Sequence, residues 1–161
     1  MYLSKRKVIL VTSISALVFF FTYTDIKSQD IKITDGDTIK LNGDKIRFSG
    51  IDTPELKQTC VKNDVKILCG LNAKKILVDK IGNNQVICVR EGKDHYKRVL
   101  AECFVNNESL SIYMVKNGYA FDYVKYSKKK YQEYENFAKK NKLGLWKTKF
   151  EYPWVWRKKN R

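Results

Sequence analysis

Beyond Asp30 the chain alternates apolar and polar residues in short runs, Ile31 to Ile33, Thr38 to Leu41 and Lys45 to Ile51, the period-two pattern of half-buried strands. Asn42 and Gly43, between the last two runs, both tolerate positive φ and predict a hairpin. Pro54 ends that strand because it lacks an N–H for a ladder. Leu56 to Cys69 reads as a loop. From Gly70 to Ile81 the apolar spacing becomes helical, and Gly82-Asn83-Asn84 stops it. Two more strands, Gln85 to Arg90 and Arg98 to Val105, flank the turn segment Glu91 to His95. Glu108 to Asn117 reads as a short helix closed by Gly118. Ser127 is positioned to cap a last helix reaching about Lys142, with Tyr131, Tyr134, Phe137 and Ala138 on its buried face and Gly144 as the stop. The segment Phe150 to Arg157 is aromatic and then basic, with no periodic signal. About five strands and three helices in this order predict an α+β, mainly β fold: a five-stranded OB-type Greek-key barrel with helices covering its ends.

The N-terminus has a different pattern. Lys5, Arg6 and Lys7 precede an uncharged stretch from Val8 to Thr24, the layout of a targeting segment. Residues 1–24 are therefore read as a signal peptide or signal anchor, with the cleaved leader favoured. The folded domain is assigned to 30–147 and an aromatic and basic tail to 148–161. The protein is expected to be exported, secreted or periplasmic. The alternative is membrane anchoring through an uncleaved N-terminal segment.

Lys and Arg number 32 against 17 acidic residues, a formal charge of +15, which attracts polyanions and makes nucleic acid the first partner to consider. An aromatic share of 13% fits a folded protein better than a disordered one, because disordered chains are poor in aromatics. Cys60, Cys69, Cys88 and Cys103 all lie beyond the leader, and an even count in a small exported domain suggests two disulfides. Three pairings are possible. The sequential one, Cys60 with Cys69 and Cys88 with Cys103, is the simplest. A zinc site would want close C-x-x-C pairs, which the chain lacks.

Carboxylates stand at both ends of the first hairpin: Asp35 and Asp37 before Thr38, Asp52 and Glu55 after Ile51. Folding about Asn42-Gly43 pairs residues whose numbers sum to roughly 85 to 87, which brings those ends together. Crowded carboxylates repel unless a cation joins them, and hard oxygen donors suit Ca²⁺ or Mg²⁺. Arg47 and Arg98 are candidates to grip phosphate with their planar guanidiniums. Strict alternation puts Arg47 and Asp52 on opposite faces, so a bend near Gly50 is required. His95, the only histidine, reads as a turn residue.

Asp35-Gly36-Asp37-Thr38, the run from Arg47 to Glu55, Asp94 to Arg98, Asn117-Gly118-Tyr119-Ala120 and Leu143-Gly144-Leu145-Trp146 together resemble the staphylococcal nuclease family, in order over about Ile31 to Lys147. The chain looks like the cysteine-containing exported branch, where Pro153 to Arg157 also has counterparts. The resemblance implies a calcium-dependent nuclease acting on DNA or RNA and leaving 3′-phosphate ends. It implies that Asp37, Asp52 and the backbone carbonyl of Thr53 hold Ca²⁺, that Glu55 is the general base, and that Arg47 and Arg98 stabilise the phosphoryl oxygens. The family often has glycine directly before the second arginine, where this chain has Lys97. A barrel that binds nucleic acid without cutting it is the competing expectation. No obligate protein partner is evident, and a monomer is expected.

Overall fold

A computed structural model of the protein describes residues 29–160. The leader expected over Met1 to Thr24 lies outside them. Among the described residues no helix is long and apolar enough to cross a membrane.

The first hairpin forms as its pattern demands. Strand β1 (Ile31–Ile33) pairs with β2 (Thr38–Leu41), and β2 pairs antiparallel with β3 (Asp44–Phe48) in a register of Thr38 with Arg47 and Leu41 with Asp44. Asn42 and Gly43 both take positive φ at its turn. The expected single strand to Ile51 is instead broken at Ser49-Gly50, beyond which lies the short β4 (Ile51–Asp52).

The loop expected over Leu56 to Cys69 contains a second hairpin, β5 (Thr59–Lys62) with β6 (Val65–Leu68). Its turn residues Asn63 and Asp64 both take positive φ, as a two-residue hairpin turn requires. Without a glycine the turn signal was weak. Helix α1 (Cys69–Ile81) follows directly.

Strands β7 (Ile87–Lys93) and β8 (Val99–Val105) form the next hairpin, with the short β9 (Glu108–Ser109) on β8. Because β8 lies parallel to β3, the main sheet runs β1-β2-β3-β8-β7, five strands in line with the expected OB-type barrel. Gln29 links the sheet's two ends. Its side-chain amide donates to the Val86 carbonyl at 2.8 Å and its oxygen accepts from the Val86 N–H at 2.8 Å. One side chain thus imitates a strand bridge where the curled sheet is open.

Helix α2 (Leu110–Lys116) starts at Ser109, whose hydroxyl accepts from the Ile112 N–H at 3.1 Å. Next come β10 (Phe121–Asp122), which pairs with β4, and the single turn α3 (Val124–Ser127). The expected continuous helix from Ser127 to Lys142 is interrupted: Lys128 and Lys129 are left-handed, and α4 runs from Gln132 to Lys140. Ser127 closes the turn after α3 by accepting from the Lys129 N–H instead of capping α4. The break wraps around Gly50, where a Cβ would meet Ser127 and the Tyr131 ring at 3.0–3.1 Å. On the expected buried face Tyr131 and Ala138 are fully buried, whereas Phe137 is exposed beneath the Lys116 ammonium.

The core between sheet and helices is built from Ile39, Phe48, Leu77, Ala101, Leu110 and Met114. A second cluster joins the Cys60–Cys69 disulfide to Phe121 and Leu145. The other disulfide, Cys88–Cys103, staples directly opposed residues of β7 and β8.

After a 3-10 turn at Gly144–Lys147 the chain ends in α5 (Pro153–Lys159). The sequence signal for α5 is proline at the first helical position, where a missing N–H costs nothing. The tail packs on the body. Lys149 and Val61 exchange backbone hydrogen bonds at 2.8 and 2.9 Å, and Trp154 stacks on Tyr152 and Tyr123.

Candidate active site

The hairpin register determines where the first acidic group lies. Thr38 opposes Arg47, so Asp37, one residue before β2, lies at the guanidinium. Arg47 Nη1 donates to Asp37 Oδ1, while Nη2 donates to the Ile51 carbonyl at 3.1 Å and to Asp52 Oδ1 at 3.0 Å. Gly50, at φ +71°, supplies the bend that brings Asp52 to the side of Arg47. The other oxygen of Asp37, Oδ2, accepts from both the N–H and the hydroxyl of Thr53, at 3.0 and 3.1 Å. Both carboxylates are buried.

Glu55 sits at the rim, with its side chain 39% exposed and open to water. Its backbone is held from two sides. Its N–H donates to the buried Gln58 Oε1 at 3.2 Å, and Gly70 in the first turn of α1 lies so close that a Cβ there would come within 1.8 Å of the Glu55 carbonyl. Only glycine permits that approach.

Arg157 of α5 also reaches the cluster. Its Nη2 donates to Asp52 Oδ2 at 2.7 Å, and its Nη1 donates to Asp52 Oδ1 at 3.1 Å and Glu55 Oε1 at 2.9 Å. No expectation placed a functional residue in the tail. The sequence signs were an arginine after an aromatic run and the resemblance of Pro153 to Arg157 to the exported branch, neither of which gave it a role.

Burial pushes the Asp37 carboxyl up, but the Arg47 charge and hydrogen bonds from Arg47, Thr38 and Thr53 outweigh it and hold Asp37 below its usual range. Asp52 is raised by burial and by Asp37, with Arg157 and Arg47 opposing. Asp35, buried beside Asp37, is pushed up to about 7. Burial opposes the charge on Arg47, but Asp37 and Asp52 hold it more firmly protonated than usual.

The donor set suits a hard divalent cation. Four carboxylates face two guanidiniums, leaving up to two negative charges unbalanced, and every side-chain donor is oxygen. Among the described residues no three acidic, histidine or cysteine side chains form a ready-made metal cage. The set named from the sequence needs only the carboxylates of Asp37 and Asp52, with the Thr53 carbonyl. Asp52 accepts three hydrogen bonds and keeps a lone pair on Oδ2, whereas Asp37 already accepts four, from Thr38, Arg47 and twice from Thr53, so a cation there would take the place of one of them.

Arg98 is not drawn into this cluster. Its Nε and Nη2 pair with Asp94 Oδ2, both at 2.7 Å, and its guanidinium lies over the Tyr96 ring. Lys97 has φ +64°, so the turn keeps the left-handed conformation that favours glycine there. His95 lies in that turn, as expected. A cleft of about 220 Å³ beside the cluster is lined by Asp35, Glu55, Leu56, Lys57 and Trp156. A larger hollow of about 510 Å³ lies at the far end of the β7–β8 hairpin, lined by Gln85, Ile87, Phe104, Asn106 and Asn107, and carries no ionisable side chain.

Residues 45–148 match the family model described as staphylococcal nuclease homologue, more than half of the chain. The chain belongs to the staphylococcal nuclease family. A family relative from Haemophilus influenzae, described as an uncharacterized endonuclease, is 31% identical over 153 residues, 88% of this chain and 79% of its own length. A micrococcal nuclease of Shigella flexneri is 27% identical over 168 residues, 94% of this chain and 88% of its own. A staphylococcal-like nuclease of Arabidopsis thaliana is 34% identical over 119 residues, 73% of this chain but 34% of its own length, so this chain spans about a third of that protein. For a staphylococcal nuclease homologue, the hydrogen-bonded set of Asp37, Arg47, Asp52 and Thr53, with Glu55 at its rim, is the candidate active site.

Proposed function

We propose that the chain is an exported, calcium-dependent nuclease that hydrolyses phosphodiester bonds of DNA or RNA and leaves 3′-phosphate ends. Family membership carries the nuclease activity. The observation that most supports the detailed reading is the convergence of Asp37, Arg47 and Asp52 on one another with Glu55 exposed beside them.

Asp37, Asp52 and the Thr53 carbonyl would hold calcium, which supplies charge that neutralises the phosphodiester and eases ionisation of water. Glu55 takes the proton from the attacking water as its oxygen bonds to phosphorus. The P–O5′ bond breaks and the departing O5′ takes a proton from solvent, leaving a 5′-hydroxyl and a 3′-phosphate. Arg47 uses three of its five N–H groups on Asp37, Asp52 and Ile51. Its two others are available to a phosphoryl oxygen whose negative charge grows in the transition state. Arg98, held by Asp94, would offer its free Nη1 from the β7–β8 turn. Export suits this chemistry, because extracellular calcium modules bind with dissociation constants of about 10⁻⁴–10⁻³ M. The excess of basic residues draws the polyanion in.

Cleavage of single-stranded DNA and of RNA, in calcium and in chelator, tests this with the chain from Ser28 onward and its Glu55→Gln and Asp37→Asn variants. Calcium-dependent cutting that drops at least about a hundredfold in both variants is expected. Salt-sensitive binding without cutting in any form would leave a binding barrel in place of an enzyme. Sequencing the N-terminus of the exported protein tests the leader, and a start between Asp25 and Asp30 is expected.

A further inference from the structure

The C-terminal helix reaches the carboxylate cluster through Arg157 and walls the adjacent cleft through Trp156. Its placement is fixed at several points. Gln58 donates through its side-chain amide to the Glu151 carbonyl at 2.6 Å, and Gln58 is the residue that also receives the Glu55 N–H. Pro153 is buried. Trp154 lies between Tyr152, with centroids 4.6 Å apart, and Tyr123, 5.5 Å apart and parallel, with Phe121 at its edge. The first turn of α5 is thus anchored by aromatic packing, and the guanidinium is aimed from a fixed base. A charged group so held loses little freedom when it meets a ligand.

The charge arithmetic says what Arg157 is for. Asp35, Asp37, Asp52 and Glu55 carry up to four negative charges, and Arg47 supplies one positive. With a calcium ion on Asp37 and Asp52 the set would keep up to one negative charge without Arg157 and none with it, so Arg157 cancels the charge that opposes an entering phosphodiester, and it is the one hydrogen-bond partner of the Glu55 side chain among the described residues. Arg157 spans both carboxylates with three N–H groups. A guanidinium has five, so two remain, and a side chain 27% exposed can present them to the cleft.

Resting on the nuclease reading above, we infer that Arg157 is a catalytic residue of this chain: it joins Asp52 to Glu55 and donates its remaining N–H groups to a nonbridging oxygen of the scissile phosphate. The helix α5 is then part of the active site, and Trp156 beside it forms a wall for the nucleotide next to that phosphate. The atoms of the reaction are unchanged. Arg157 neither gives nor takes a proton, and it stabilises the negative charge gathered on phosphoryl oxygen as the P–O5′ bond breaks.

The test compares the full chain, as the expressing cell processes it, with its Arg157→Gln and Arg157→Lys variants on single-stranded DNA in calcium. Tryptophan fluorescence reports docking of α5, because Trp154 and Trp156 both belong to it. With that signal unchanged, Arg157→Gln should lower kcat about a hundredfold or more with a much smaller change in KM. Arg157→Lys should fall between the two, and added guanidinium ion at millimolar concentration should restore part of the rate to Arg157→Gln alone. An unchanged rate in Arg157→Gln overturns the inference while leaving the nuclease intact. A faster rate also overturns it and makes Arg157 a plug over the carboxylates. Loss of docking with no guanidinium rescue and no advantage for lysine assigns Arg157 to structure only. An inactive wild type overturns the nuclease reading itself.

Discussion

Thr53 donates twice to one oxygen of Asp37, through its N–H at 3.0 Å and its hydroxyl at 3.1 Å, across sixteen residues of sequence. This pair ties the start of β2 to the chain beyond β4 and leaves Asp37 no freedom to rotate. Hydrogen bonds to charged groups contribute about 1.5–3 kcal/mol. Thr53→Val keeps the shape and the N–H but loses the hydroxyl, so it should unfold at lower urea by about that amount and bind calcium several-fold more weakly. Thr53→Ser should restore both. Urea titration and calcium titration read the two effects separately.

Asp35 gives a pH signature. Its folded value, pushed up by burial and by Asp37, stands at about 7 against an ordinary 3.8, so the folded state prefers the neutral acid. The preference adds stability that is full below about pH 4 and is lost as pH rises through about 7. In chelator, wild type should therefore lose stability relative to Asp35→Asn between those limits, and the two curves should run parallel above about pH 8. Thermal melts across that range decide it. Parallel curves throughout would mean that Asp35 is not held in its neutral form.

The sequence showed the site best where chemistry and register coincide. Asn42-Gly43 determined the pairing of Thr38 with Arg47, and with it the meeting of Asp37, Arg47 and Asp52. The bend expected at Gly50 is present, because β alternation alone could not have joined Arg47 to Asp52. The hairpin β5–β6 was missed because Asn63-Asp64 makes the same backbone turn as Asn-Gly without the glycine that signals it. Arg157 was illegible for a different reason. Its position depends on an aromatic cluster assembled from Phe121, Tyr123, Tyr152 and Trp154, a tertiary arrangement with no periodic trace. The break between α3 and α4 likewise answers to Gly50, some eighty residues away in the chain.

Lys97 occupies a left-handed position, φ +64°, which costs an L-residue about 1–2 kcal/mol. Lys97→Gly should raise stability by up to about 1 kcal/mol, part of the gain being returned as entropy of the unfolded chain. Activity should hold or rise, because the hydrogen bonds that Arg98 donates to Asp94 do not depend on the lysine side chain. Thermal denaturation and the cleavage rate, measured on the same preparation, check both parts.

Gly70 is where packing meets the proposed base. A methyl group there would come within 1.8 Å of the Glu55 carbonyl and 2.8 Å of the Pro54 carbonyl, both backbone, so the loop must yield. Gly70→Ala is expected to cost about 1–3 kcal/mol, as other overpacked sites do, and to lower cleavage by more than that stability loss explains, because Glu55 is displaced. Gly82→Ala, at the other end of α1, meets nothing nearer than 3.8 Å and should cost stability through its positive φ while sparing the rate. A folded Gly70→Ala variant with full activity would show that the position of Glu55 is not set from α1.

The two disulfides close loops of similar length, with separations of 9 and 15 residues, and chain entropy gives each about 2.5–3 kcal/mol. Their surroundings differ. Cys88–Cys103 joins two strands that are already paired residue for residue, so the Cys88→Ala, Cys103→Ala variant should lose stability and keep its cleavage rate at temperatures where it is folded. Cys60–Cys69 packs on Phe121 and Leu145, and the Cys69 N–H donates to the Gln58 carbonyl at 3.0 Å. Gln58 in turn holds Glu55 and the approach to α5. The Cys60→Ala, Cys69→Ala variant should therefore lose about the same stability and a further tenfold or more of its rate, with a change in Trp154 fluorescence. Equal rates in the two folded variants would show that the Gln58 junction does not transmit to the site.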